Sequence, residues 1–233
     1  MAAKEISLRL LIHKEENQIL YAESGNDFVD VLLSFLTMPL GTVIRLTGKQ
    51  SEMGSLDNLF GSVEDLDVQY LQSESCKNML LHPKSASEEC RRKLMVNIDD
   101  TEPTDYYLCT NASFPLNSDS DFKHLISTTR QRACRCGRSV SRRMPTRDKK
   151  VGGDGKDGVF VKGKMRYMIT DNLQILPVCM RTSLELLTRF GISDPSVLEE
   201  RDVKLGQKEA LSLLKASLIS KTVLSEVFLK KPK

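Results

Sequence analysis

The sequence predicts an α+β fold of hairpin-plus-helix units, internally duplicated, with a long basic cysteine-containing insert between the copies. Three observations predict it. Two strand-like runs and a helical stripe follow one another near the N-terminus; the same order returns after residue 158; and hydrophobic periodicity is lost over residues 110–157. The expected division is 1–109 for the N-terminal unit and its following helices, 110–157 for the insert, and 158–233 for the C-terminal unit and terminal helices.

Residues 6–13 alternate and are rich in aliphatics, which reads as a strand; Lys14 to Asn17 is a turn, and Gln18 to Glu23 a second strand. Ser24 to Asp27 supplies a helix start with an acid in the first turn, and Phe28, Val31, Leu32, Phe35 and Leu36 form the stripe that follows. Pro39 stops that helix or opens the next turn. Leu56, Leu59, Phe60, Val63 and Leu66 recur at helical spacing behind Ser55, and Cys76, Met79 and Leu80 suggest a further turn before Pro83. Asp105 to Cys109 is a strand candidate. Residues 110–157 then fill with Ser, Arg, Asp and Gly, and a structureless stretch of that length is expected to be mobile or tied down by a ligand.

From Gly158 the pattern resumes. Val159 to Lys162, Met165 to Thr170 and Leu173 to Val178 read as strands, followed by a helix with Leu184, Leu187 and Phe190 on one face and Gly191 as its C′ residue. Asp194-Pro195 opens a short helix, Ala210, Leu211, Leu214 and Leu218 mark a longer one, and Thr222 to Phe228 a last turn. Ile12 to Leu20 aligns with Ile169 to Leu176 after one gap, the two helices then align, and a weaker echo begins at Gly206; this is the basis for expecting duplication.

Charge is unevenly spread. Between Arg130 and Lys150 nine basic residues face a single acid, Asp148, a local +8 that leaves −5 for the rest of a chain whose total is +3. The N-terminus lacks a basic region followed by an apolar one, so an intracellular location, cytoplasmic or nuclear, is expected, with the six cysteines reduced. The most apolar stretch, Phe28 to Leu46, is interrupted by Asp30, Pro39, Gly41 and Arg45, so no membrane partner is expected.

Cys134-Arg135-Cys136-Gly137, with Cys109 upstream, is the ligand-like cluster. Thiolates favour zinc, a structural zinc ion takes four ligands, and the glycine permits a turn that aims both sulfurs one way. His124 is the nearest candidate fourth ligand, with Cys90 and His82 more remote; reduced cysteines in a loop are the simpler account. Arg130, Arg132, Arg135, Arg138, Arg142 and Arg143 could contact nucleic-acid phosphates, but aromatic residues for base stacking are not interleaved, and a solvated charge run is simpler. The Gly152–Gly158 stretch fails as a phosphate loop because Asp157 stands where Ser or Thr is needed, so it reads as a turn or linker. Cys76, Cys90 and Cys179 lie in or beside apolar-patterned segments and read as packing residues.

Longer strings carry a family resemblance. They include Asp27-Phe-Val-Asp-Val-Leu-Leu-Ser-Phe-Leu-Thr-Met-Pro-Leu-Gly-Thr-Val-Ile-Arg-Leu46, Cys76-Lys-Asn-Met-Leu-Leu81, Gly158-Val-Phe-Val-Lys-Gly163 and Met168-Ile-Thr-Asp-Asn-Leu-Gln174. With them the chain resembles plant proteins carrying the domain of unknown function numbered 674, as a single copy. The resemblance implies a plant origin and no assigned activity. It also implies a second cysteine shortly after the one matching Cys109, then Cys-x-Cys-Gly-x-x-Met. Here Cys134-Arg-Cys136-Gly137 is present, Val140 precedes a displaced Met144, and Ala112, Ser113 and Phe114 fill the region of the second early cysteine. A four-thiolate pattern would therefore have lost one ligand.

The expected function is a non-enzymatic binding or interaction module with a degenerate zinc site and a protein partner. One alternative is a nucleic-acid-associated protein using residues 130–150; another is an enzyme whose site assembles from separated residues, which a polar pocket uniting His, Asp or Glu and Ser or Cys would favour.

Overall fold

In β1 (Ile6–His13) every second side chain is aliphatic, and Ile6, Leu8, Leu10 and Ile12 are buried while Ser7 and Arg9 face water. That period commits the strand to a one-sided sheet. The computed structural model describes residues 4–85, 87–99, 101, 105–112, 126–127, 132–144 and 158–229. The chain divides into a larger unit, Met1–Thr101 with Asp154–Lys233, and a smaller one, Glu102–Gly153.

In the larger unit β1 is followed by β2 (Gln18–Ser24), α1 (Asn26–Phe35), α2 (Leu40–Leu46), α3 (Leu56–Asp65), α4 (Glu74–Leu81) and α5 (Glu88–Arg91). The smaller unit holds β3 (Tyr107–Cys109), β4 (Ile126–Ser127), β5 (Arg132–Ala133) and β6 (Ser139–Arg143). The larger unit then resumes with β7 (Tyr167–Thr170), β8 (Ile175–Pro177), α6 (Met180–Arg189), β9 (Leu198–Leu205), α7 (Gln207–Ile219) and α8 (Val223–Phe228). Its five strands form an antiparallel sheet in the order β8-β7-β2-β1-β9, so the architecture is mixed α+β and the two hairpins lie side by side.

One face of this sheet carries the core. Leu8, Leu10, Ile12, Ala22, Ile169 and Leu205 pack with Phe28, Val31 and Leu32 of α1, Leu213 and Leu214 of α7, and Leu224 of α8. Alternation turns Met168 to the opposite face from Ile169, and Ser183 at the start of α6 approaches the Met168 sulfur at 3.6 Å. The helices following the two hairpins therefore cover opposite faces.

Several expectations are corrected. Val159 to Lys162 form no strand: the chain bends around Asp30, whose buried carboxylate accepts from the amides of Val159, Phe160 and Val161 at 2.6, 2.8 and 3.1 Å. Gly158 is required there, because a Cβ would lie 2.4 Å from the Val161 carbonyl and 2.6 Å from Asp30 Oδ2. On α6 the buried residue is Leu186, while Leu184 is exposed. β9 was not expected, since Glu199, Glu200, Arg201, Asp202 and Lys204 hide its pattern; charge of this kind protects an edge strand from pairing with other chains. Cys179 is exposed and caps α6, accepting from the Thr182 amide, rather than packing; the Thr182 hydroxyl and amide hold its thiol below the usual range. Among the described residues of 110–157 lie β4, β5 and β6; β3 pairs with β4 and β6, and β6 pairs with β5.

Two polar networks hold the periphery of the larger unit. Arg91, 1% exposed, donates to Asp99 Oδ2 at 2.7 and 3.0 Å and to the Thr37 carbonyl at 3.0 Å. Asp99 also accepts from the Thr101 amide at 3.0 Å and from its hydroxyl. At the other end of the chain, Asp171 accepts from the amide and hydroxyl of Ser225, both at 2.8 Å, and Ser225 Oγ accepts from the Ile19 amide at 2.8 Å. This joins α8 to both hairpins. Ser225→Ala strands the Ile19 N–H, on a residue with no exposed surface; it should cost roughly 1–3 kcal/mol, read as a lowered urea midpoint at unchanged slope.

Candidate metal centre

The smaller unit is built from short strands. Among its described residues Cys109, Ala112, Cys134 and Val140 form the buried cluster, with Tyr107 packed against it. Its strands run β4-β3-β6-β5, and register explains how residues distant in sequence meet. Cys109 of β3 and Arg132 of β5 both pair with Val140 of β6, from opposite sides. Cys109 therefore lies at the same end of the sheet as the turn joining β5 to β6.

That turn carries the other two cysteines. The Gly137 amide donates to the Cys134 carbonyl at 2.9 Å, and the Cys134 amide to the Arg138 carbonyl at 2.8 Å. Gly137 has φ +80°, a left-handed conformation that favours glycine and closes the reversal. On the β3 side, the Thr110 amide donates to the Ser139 carbonyl at 3.0 Å, and the Ala112 amide closes a turn on the Cys109 carbonyl at 3.0 Å.

The three sulfurs converge. Cys109, Cys134 and Cys136 Sγ all lie within 4.8 Å of one another, and Cys109 and Cys136 Sγ are 3.4 Å apart. Sulfurs on a tetrahedral zinc ion, each about 2.3 Å from the metal, stand roughly 3.8 Å apart. Donor type and spacing thus fit zinc, with three ligands in place. Burial pushes the Cys109 thiol up, the Asn111 amide opposes this, and the neighbouring Cys136 and Cys134 thiols add to the rise. A bound cation would reverse that balance by stabilising the thiolates. None of the six cysteines forms a disulfide.

Other sequence-derived candidates are dispersed. His124 and Arg130 lie outside the described residues, as do Arg147, Lys149, Lys150 and the glycine-rich residues 152–157. Arg132, Arg135 and Arg138 are exposed. Arg142 donates to the Ala112 carbonyl, and Arg143 donates to Asp105 Oδ1 at 2.6 and 2.9 Å, so both serve contacts within the unit. His13 accepts from the Glu16 amide at 3.2 Å, in the β1–β2 turn. Two surface depressions, of about 810 and 730 Å³, are lined by residues of α6 and by charged residues of β1, β2 and β9 respectively; neither contains a histidine or a cysteine. Among the described residues no single helix is long and apolar enough to cross a membrane, and α1 and α2 meet at 109°.

The structure singles out one of the residues that stand in the region of the absent second early cysteine. Ala112 is 2% exposed and shares the buried cluster with Cys109 and Cys134. It stands three positions after Cys109, the spacing of a Cys-x-x-Cys zinc half-site with the second thiol missing. That spacing distinguishes Ala112 from Ser113 and Phe114 in the same region.

The family model described as "Protein of unknown function (DUF674)" matches residues 2–233, so the chain belongs to that family. No curated protein and no solved structure matches it.

Proposed function

We propose that this member of that family is a non-enzymatic binding or interaction module whose smaller unit is stapled by zinc on Cys109, Cys134 and Cys136. The convergence of three sulfurs within 4.8 Å carries the reading. Its physical motive is size: the smaller unit spans only Glu102–Gly153, and units that small are commonly held by a metal or by disulfides. Zinc would tie the end of β3 to the β5–β6 turn and leave the exposed face of that turn for a protein partner. The reading requires a reducing compartment, cytoplasmic or nuclear, where the thiols stay available.

Metal content tests it. The purified protein should carry about one zinc per chain, and Cys134→Ser should reduce this below about a tenth. Thermal unfolding of the larger unit serves as the folding control, since none of these cysteines belongs to its core cluster. Less than about a tenth of an equivalent in the unsubstituted protein, after exposure to zinc, removes the proposal.

A further inference from the structure

We infer that Cys109 and Cys136 are a peroxide-sensitive pair, joined by oxidation into a disulfide that takes two thiolates from the metal-binding set. Their sulfurs are 3.4 Å apart, so reaching a bond of about 2.05 Å needs an approach of about 1.4 Å. The two residues differ in access: Cys136 is exposed and Cys109 has no exposed surface. That asymmetry sets an order of events. Peroxide reaches Cys136 first, and the buried neighbour resolves the product.

The chemistry balances with peroxide as the oxidant. The Cys136 sulfur attacks one peroxide oxygen, the O–O bond breaks, and sulfenic acid and water form. The Cys109 sulfur then displaces that hydroxyl, forming the S–S bond and releasing a second water. Two thiols lose two hydrogens, and one hydrogen peroxide is reduced to two waters. Cys134 is the poorer partner for Cys136, because only Arg135 separates them within the β5–β6 turn, and so short a loop strains the disulfide geometry. Disulfide formation does not depend on metal; the consequence for metal rests on the zinc reading above.

The experiment treats zinc-loaded and metal-free full-length protein with hydrogen peroxide, followed by non-reducing peptide mapping and a colorimetric assay of released zinc. A Cys109–Cys136 linked peptide in both forms, reversed by a dithiol, is expected, with zinc released in step with linkage. Cys136→Ser, a substitution at an exposed position, should abolish the linkage; Cys134→Ser should keep it. A linked peptide in a protein that never binds zinc supports the pair and sinks the metal reading alone. Zinc binding with Cys134–Cys136 linkage, or with sulfinic acid at Cys136 and no linkage, overturns the pair and leaves the metal reading intact.

Discussion

Ala112→Cys should bind zinc on the order of a hundredfold more tightly than the unsubstituted protein. The apparent binding free energy of a four-ligand structural site is about 10–16 kcal/mol, so one ligand in four is worth roughly 3 kcal/mol, near two decades of affinity. Position 112 is specific for this gain. It is buried with Cys109 and Cys134, and it closes the turn that begins at Cys109. Competition against a chromophoric chelator reads the change, and cobalt substitution should report a tetrahedral four-thiolate spectrum in the variant. Affinity unchanged by the added thiol would place residue 112 away from the open coordination position. Ala133→Cys, on an exposed strand position nearby, is the control that should gain nothing.

Arg91→Ala should destabilise the larger unit by up to about 3 kcal/mol, because the buried Asp99 carboxylate loses its closest cation and keeps only Arg45, at 3.9 Å. Arg91→Lys should recover only part of this, since one ammonium cannot reproduce the contacts of the guanidinium to both Asp99 and Thr37. Acid provides the companion measurement. Burial would raise the Asp99 carboxyl, but the Thr101 hydroxyl and amide and then the Arg91 guanidinium outweigh it and hold the group below the usual carboxylate range. A depressed folded value stabilises the native state above the unfolded value of about 3.9, and that stability disappears as pH falls through the folded one. Stability should therefore decline below about pH 4, and the decline should flatten in Arg91→Ala. An equal acid slope in both proteins would refute the assignment.

The sequence was legible wherever one period dominated. β1 and α1 could be placed because their apolar residues recur at 2 and 3.6 positions and one shared core uses both. β9 was hidden for the opposite reason: it is an edge strand whose ladder to β1 is made by backbone, while its side chains are mostly charged. The strands of the smaller unit are two to five residues long; β3 falls within the Asp105–Cys109 strand candidate, whereas β4, β5 and β6 are too short or too rich in Arg and Ser to carry a period, and tertiary pairing defines them. At the candidate site, Cys134-x-Cys136-Gly was visible as a local motif. Its meeting with Cys109, 27 positions from Cys136, depends on both β3 and β5 flanking Val140, a fact of register. The resemblance pointed to the region of Ala112, Ser113 and Phe114, and burial beside Cys109 and Cys134 singles out Ala112.

The two polar clamps described in the larger unit have an evolutionary corollary. Arg91, Asp99 and Thr101 hold the chain where the larger unit is interrupted, and Asp30 holds it where that unit resumes, at residues 159–161. With both junctions pinned by groups of the host, the intervening segment can lengthen, shorten or change a residue such as 112 without shifting a single register of the five-stranded sheet. Selection on folding of the host is thereby uncoupled from selection on the passenger. Substitutions at 109, 112, 134 or 136 are then expected to leave the unfolding midpoint of the host unchanged.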